Sequence, residues 1–179
     1  MSLAGALDPG LITDASGPAR AVGSFVWVLI VGGAVLRYRG AFVDRSTDAW
    51  LERPAIAVVY GATVYGLVLF ATGYVFSQIA RLAPASGRLV QGLVVVAGLL
   101  LLAVTAVGFT VVGIGLTEIE SRRRPWAGLA LGAAISAVVW VGLPFALGLV
   151  AWILLASVGV GGPMRRWVHA DEPARSSPG

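Results

Sequence analysis

Apolar positions in this chain fall in long unbroken blocks rather than in the alternation of a strand or the stripe of a soluble helix. A helix rises about 1.5 Å per residue and the hydrocarbon core of a bilayer is about 30 Å thick, so a span takes about 17–25 apolar residues. Ala21 to Leu36 is a first such block, preceded by small residues and closed by Arg37, Tyr38 and Arg39. Ala55 to Phe76 is a second, and Pro54 suits its first turn, where the missing N–H has no partner to lose. The third, Leu89 to Leu116, holds 28 residues without a charge. As a helix it would measure roughly 42 Å, so it must tilt, bend or protrude. Gly108, Gly113 and Gly115 make its second half the softer one, and Thr117-Glu118-Ile119-Glu120 continue it into water.

From Trp126 to Gly162 there are 37 uncharged residues, too many for one crossing. The chain must break, and Gly142-Leu143-Pro144 is the natural place, because Pro144 removes a backbone donor while Gly142 loosens the backbone. Two short spans are predicted, Trp126 to Val141 and Leu143 to Val160, with a re-entrant Leu143 to Val160 as the competing picture. The expected fold class is an all-α integral membrane protein with about five transmembrane helices, the last two forming a short hairpin broken at Gly142 and Pro144. One helical domain over 19–162 would lie between a flexible N-terminus, 1–18, and a disordered tail, 163–179.

The charges fix an expected orientation. All 13 basic residues are arginine, and they cluster beside the apolar blocks. Five spans with the N-terminus outside put ten of them in cytoplasmic segments (37, 39, 45, 53, 122–124, 165, 166 and 175) and three outside, whereas four spans give seven and six. Five spans therefore fit the positive-inside bias, with a multi-pass chain in the cell's cytoplasmic membrane and its C-terminus inside. A net charge of +4 and a pI near 10.3 are read as topology, and no nucleic-acid partner is expected. Residues 1–18 have no basic stretch ahead of an apolar core, so no cleaved signal peptide is expected.

Composition agrees with the blocks. The chain is 58% hydrophobic and 12% charged, about half the charge of a soluble domain, with a mean hydropathy of +0.87. There is no cysteine, hence no disulfide, thiolate nucleophile or sulfur ligand. None of the five blocks contains an acid, base or histidine, the residues that mark ion coupling or intramembrane hydrolysis. His169, the single histidine, lies beyond the last block. No catalytic, cofactor-binding or metal-binding residue is assigned, and no enzymatic activity is expected.

Three groups of residues carry the remaining signals. In Ala41 to Glu52, Phe42 and Val43 recur seven positions later as Ala49 and Trp50, opposite Asp44, Arg45, Asp48 and Glu52. This reads as an amphipathic helix lying in the interface, with Phe42, Val43 and Trp50 either docking a cytoplasmic partner or anchoring the helix to the bilayer. Gly128, Gly132 and Ser136 form a small-residue stripe, and Ala62 with Gly66 repeats its spacing; such stripes let helices approach within one chain or between copies of a homo-oligomer. Tyr60, Tyr65 and Tyr74, with Thr63 and Thr72, could line a pore or satisfy helix contacts. Arg122, Arg123 and Arg124 could hold a lipid headgroup or serve as the topology signal.

The order of these features resembles a known family. Arg37-Tyr38-Arg39 leads into Phe42-Val43-Asp44-Arg45 and Glu52-Arg53-Pro54. A later block carries Val104-Thr105-Ala106-Val107-Gly108, and the last hairpin reads Val141-Gly142-Leu143-Pro144-Phe145-Ala146-Leu147-Gly148-Leu149 and closes on Ser157-Val158-Gly159-Val160-Gly161-Gly162. This is similar, over roughly Ser24 to Gly162, to the archaeal multi-pass membrane module of uncharacterised function that accompanies bactofilin-like polymer-forming cytoskeletal domains. Where that family carries Pro after a Gly-Ile pair, this chain has Gly108-Phe109-Thr110. The resemblance implies a membrane anchor or scaffold for a cytoplasmic partner, such as a cytoskeletal polymer. The alternative is a small oligomeric permease or channel subunit.

Overall fold

The computed structural model describes residues 15–82, 87–118 and 124–168, and these form five helices: α1 (Gly17–Glu52), α2 (Pro54–Leu82), α3 (Gly87–Glu118), α4 (Pro125–Gly142) and α5 (Phe145–Val168). The chain is an all-α membrane protein. α1 to α4 are each long and apolar enough to cross a bilayer, and α5 contributes a shorter apolar stretch, Phe145–Gly161. Proline marks most of the beginnings: Pro18 lies in the first turn of α1, Pro54 opens α2, Pro125 opens α4 and Pro144 immediately precedes α5. Pro is suited to a first turn, whose donors have no partner within the helix.

α4 ends at Gly142, Leu143 is extended, and the next helix takes its first backbone bond at Pro144, whose carbonyl accepts from Gly148 N at 2.8 Å. α5 runs through Pro163 to Val168, so the part of the predicted tail at 163–168 is helical instead. The rest of that tail and residues 1–14 lie outside the described residues, as does His169.

α3 is the axis of the bundle. α1 and α4 pack along it and against each other, α5 packs on another side, and α2 sits outermost, held mainly by α5. The second half of α3, expected to be soft, is the most enclosed stretch: Thr105, Ala106 and 108–115 are all buried. Lipid tails offer no hydrophobic drive for one helix to seek another, so contact comes from close backbone approach over small residues. On α4, Gly128 and Gly132 lie against this stretch; a Cβ on Gly128 would stand 2.5 Å from Ile114 Cα, and one on Gly113 would stand 2.8 Å from Gly132 Cα. Gly108 meets Ala156 and Gly159 of α5 in the same way. Its glycines are what allow three neighbours to close on α3 at once.

Within α1, two helical stretches meet at a kink at Arg39 (φ −136°, ψ 35°), next to Gly40, so the segment Ala41 to Glu52 is a helix set at an angle to the first span. Past the kink the helix lies along the end of α3, where Val43 joins a buried cluster with Val111 and Ile114. The surplus length of the third apolar block explains this: α3 has 32 residues, roughly 48 Å, and its end supplies apolar surface that the amphipathic face covers.

Several hydroxyl groups inside the bundle are satisfied within their own helices. Thr47, Thr110 and Ser136 each donate to a carbonyl three or four residues back in their own helices. Ser24 donates to Ser136 Oγ at 3.0 Å and accepts from Trp152 Nε1 at 3.0 Å, tying α1, α4 and α5 together. Ser24→Ala will lower stability by about 0.6–1.7 kcal/mol, from the average to the largest worth of an interhelical bond in membranes. Denaturation of the purified protein in mild detergent measures the change, and an unaltered midpoint would show that the link is idle.

Candidate functional site

Among the described residues, the kink of α1 and a cavity near the start of α1 combine polar groups with shape, and the residues singled out from sequence distribute unevenly between them. At the kink, Tyr38 is 81% and Phe42 42% exposed, while Val43 is fully buried. Trp50 is half-buried, with its ring against Gly115 and its indole nitrogen buried without a hydrogen-bond partner. Phe42, Val43 and Trp50 therefore do not form one outward docking face; Val43 and Trp50 are occupied by α3, and Phe42 alone of the three is exposed. It lines instead a cleft of about 550 Å³ with Tyr38, Arg39, Gly40, Ala41 and Arg45. Arg45 Nε donates to the Ala41 carbonyl at 3.0 Å, which holds its side chain along the cleft. The kink is what opens this space, since a straight α1 would leave no re-entrant angle between its two halves.

Among the stripes, Gly128, Gly132 and Ser136 are buried against neighbouring helices. On α2 the contact face differs from the expected one. Gly66 is exposed with nothing near the place of a Cβ, and Ala62 is half-buried, whereas Ala57, Gly61 and Tyr65 are buried. Gly61 and Gly161 bring α2 and α5 into backbone contact near Ser157 and Ala57. Tyr65 turns inward, sharing a hydrogen bond with Thr105 of α3. Tyr74 faces outward and stacks on Phe70 at 6.4 Å, and Thr63 is exposed with its hydroxyl on the Val59 carbonyl. Tyr65 and Thr72 line one cavity of about 250 Å³ between α2 and α3, which the exposed Thr63 and Tyr74 do not join. Gly142 is exposed at the end of α4, and Arg124 is exposed just before Pro125; Arg122 and Arg123 lie outside the described residues.

The second place is a cavity of about 410 Å³ at the start of α1 and α5. Arg20 stands in its wall, its guanidinium carbon 5.6 Å from the Trp140 ring centroid and 5.1 Å from that of Phe145. Trp27, Leu149 and Trp152 complete much of the lining. Sequence reasoning misses this arrangement, because Trp140 and Phe145 lie 120 or more positions from Arg20. Among the described residues no group of three or more His, Cys, Asp or Glu side chains is placed to hold a metal ion. Comparison with known families, with characterised proteins and with solved structures returned no match.

Proposed function

We propose that this protein is a non-enzymatic membrane anchor that holds a cytoplasmic partner at the kink of α1. The observation that carries the reading is the cleft there: two arginines and two exposed aromatic rings on a helix whose next turns are fixed to α3. Aromatic and arginine side chains are favoured contact residues at protein interfaces, and a contact built on a buttressed helix loses little freedom when it binds. The arginine distribution supports placing this end of α1 on the cytoplasmic side, with the N-terminus outside. The partner fitting the cleft is an acidic surface, and a protein polymer is the kind that the family resemblance implies. Of the hydroxyl-bearing residues of α2 behind the permease reading, Tyr65 and Thr72 share one small apolar cavity, while Thr63 and Tyr74 are exposed.

A photo-crosslinking side chain at Tyr38 in native membranes tests this. The expected product is an adduct with one soluble, acidic protein, lost when Arg39→Glu and Arg45→Glu are combined and weakened by added salt. The same probe at Val141, exposed near the far end of α4, should capture no such protein. Adducts confined to lipid or to further copies of the chain would overturn the proposal.

A further inference from the structure

The geometry points to a binding site for an anionic amphiphile, a lipid with one negatively charged group on its head, in the cavity beside Arg20. The walls are nearly free of available polarity. Trp27 donates its indole N–H to the Leu102 carbonyl at 3.1 Å, and Trp152 donates its own to Ser24, so both rings offer the cavity apolar faces. Arg20 is the exception. Its Nε donates to the Ala15 carbonyl at 2.9 Å, but Nη1 is buried with no hydrogen-bond partner, and among the described residues no acidic side chain lines the cavity. A buried donor on a charged group is expensive to leave unmade, and the planar guanidinium matches a carboxylate or phosphate edge. The flanking rings of Trp140 and Phe145 hold the cation in place by cation–π contact, so it is already oriented before a ligand arrives.

Two further features agree with a lipid as occupant. Ala19, Gly23 and Leu102 at the cavity's edge are exposed, which gives an acyl chain lateral access from the bilayer. A volume of about 410 Å³ falls within the range of about 300–1,000 Å³ usual for small-molecule sites. Arg20 lies in the first turn of α1, so the headgroup would sit at one bilayer surface while the tail follows Trp27 and Leu102.

Native mass spectrometry of the full chain in mild detergent tests the site, with phosphatidylglycerol, phosphatidylcholine and oleate as separate probes. The expected result is retention of one phosphatidylglycerol per chain, at least about tenfold stronger than phosphatidylcholine and lost in Arg20→Gln. Oleate distinguishes the sources of the charge: retention equal to phosphatidylglycerol identifies any anionic acyl chain as ligand, and weaker retention identifies the phosphate headgroup. Gly23→Leu is the second variant, because nothing lies within 4 Å of a Cβ built there, so it obstructs the mouth while leaving Arg20 and the fold alone. It should abolish retention as Arg20→Gln does, whereas Arg124→Gln should not. Equal retention of zwitterionic and anionic lipid, or unchanged retention in Gly23→Leu, would overturn the assignment.

Discussion

Gly113→Leu will destabilise the protein by about 3 kcal/mol, whereas Gly66→Leu will change it by less than about 0.5 kcal/mol. Both residues are helical glycines in apolar surroundings, and only structure separates them. A Cβ on Gly113 would stand 2.5 Å from the backbone nitrogen of Gly132, and backbone cannot rotate aside as a side chain can. α3 and α4 would have to separate, and with them the contacts of Ile114 against Gly128. Gly66 has nothing within 4 Å of the corresponding point, so leucine there adds only lipid contact. Thermal midpoints of the two variants in the same detergent measure the difference. Equal midpoints would mean that α3 and α4 are not in backbone contact.

Gly61→Leu should act on a different scale, by releasing one helix without unfolding the rest. α2 is outermost and depends on its seam with α5, where the positions of Cβ atoms on Gly61 and Gly161 are filled by the backbone of the other helix. A loss of about 2 kcal/mol confined to that seam raises the population of the detached state roughly thirtyfold. Because the chain has no cysteine, a single Ser157→Cys reports the event: Ser157 is buried under α2, and cysteine closely matches serine in size. Thiol labelling of Ser157→Cys in detergent should accelerate by about that factor once Gly61→Leu is added, with helical content nearly constant. Unchanged labelling would show that the seam tolerates the larger residue.

The positions of the helices were legible in the sequence because bilayer thickness leaves few ways to divide uninterrupted apolar blocks. The break between Gly142 and Phe145 was legible for the same reason, sharpened by the backbone chemistry of Gly142 and Pro144. The stripe at Gly128, Gly132 and Ser136 could be read from spacing alone. The corresponding choice on α2 failed, since two faces of that helix carry small residues and spacing cannot say which one has a neighbour. Ala57 and Gly61 face α5 with Tyr65 below them, and a tyrosine does not look like part of a close-packed seam until Thr105 is seen opposite its hydroxyl. The amphipathic pattern of Ala41 to Glu52 is real, but spacing could not say that Val43 and Trp50 of its apolar side meet the end of α3 while Phe42 stays exposed. The Arg20 cavity was beyond reach, because it is assembled from the first turn of α1 and from rings on α4 and α5.

The placement of α2 also has a bearing on synthesis. α2 is made early, yet its main partner α5 is the last helix of the five, and contacts of α2 with α1 and α3 are slight. During translation, then, α2 must wait in the bilayer with Ala57, Gly61 and Tyr65 unsatisfied while α3 and α4 are inserted. Any copy halted before α5 would display that bare small-residue seam, together with the cleft on α3 that Ala156 and Gly159 would have filled. The arrival of α5 is thus written on the molecule's surface, as the disappearance of a face that a membrane quality-control factor could read.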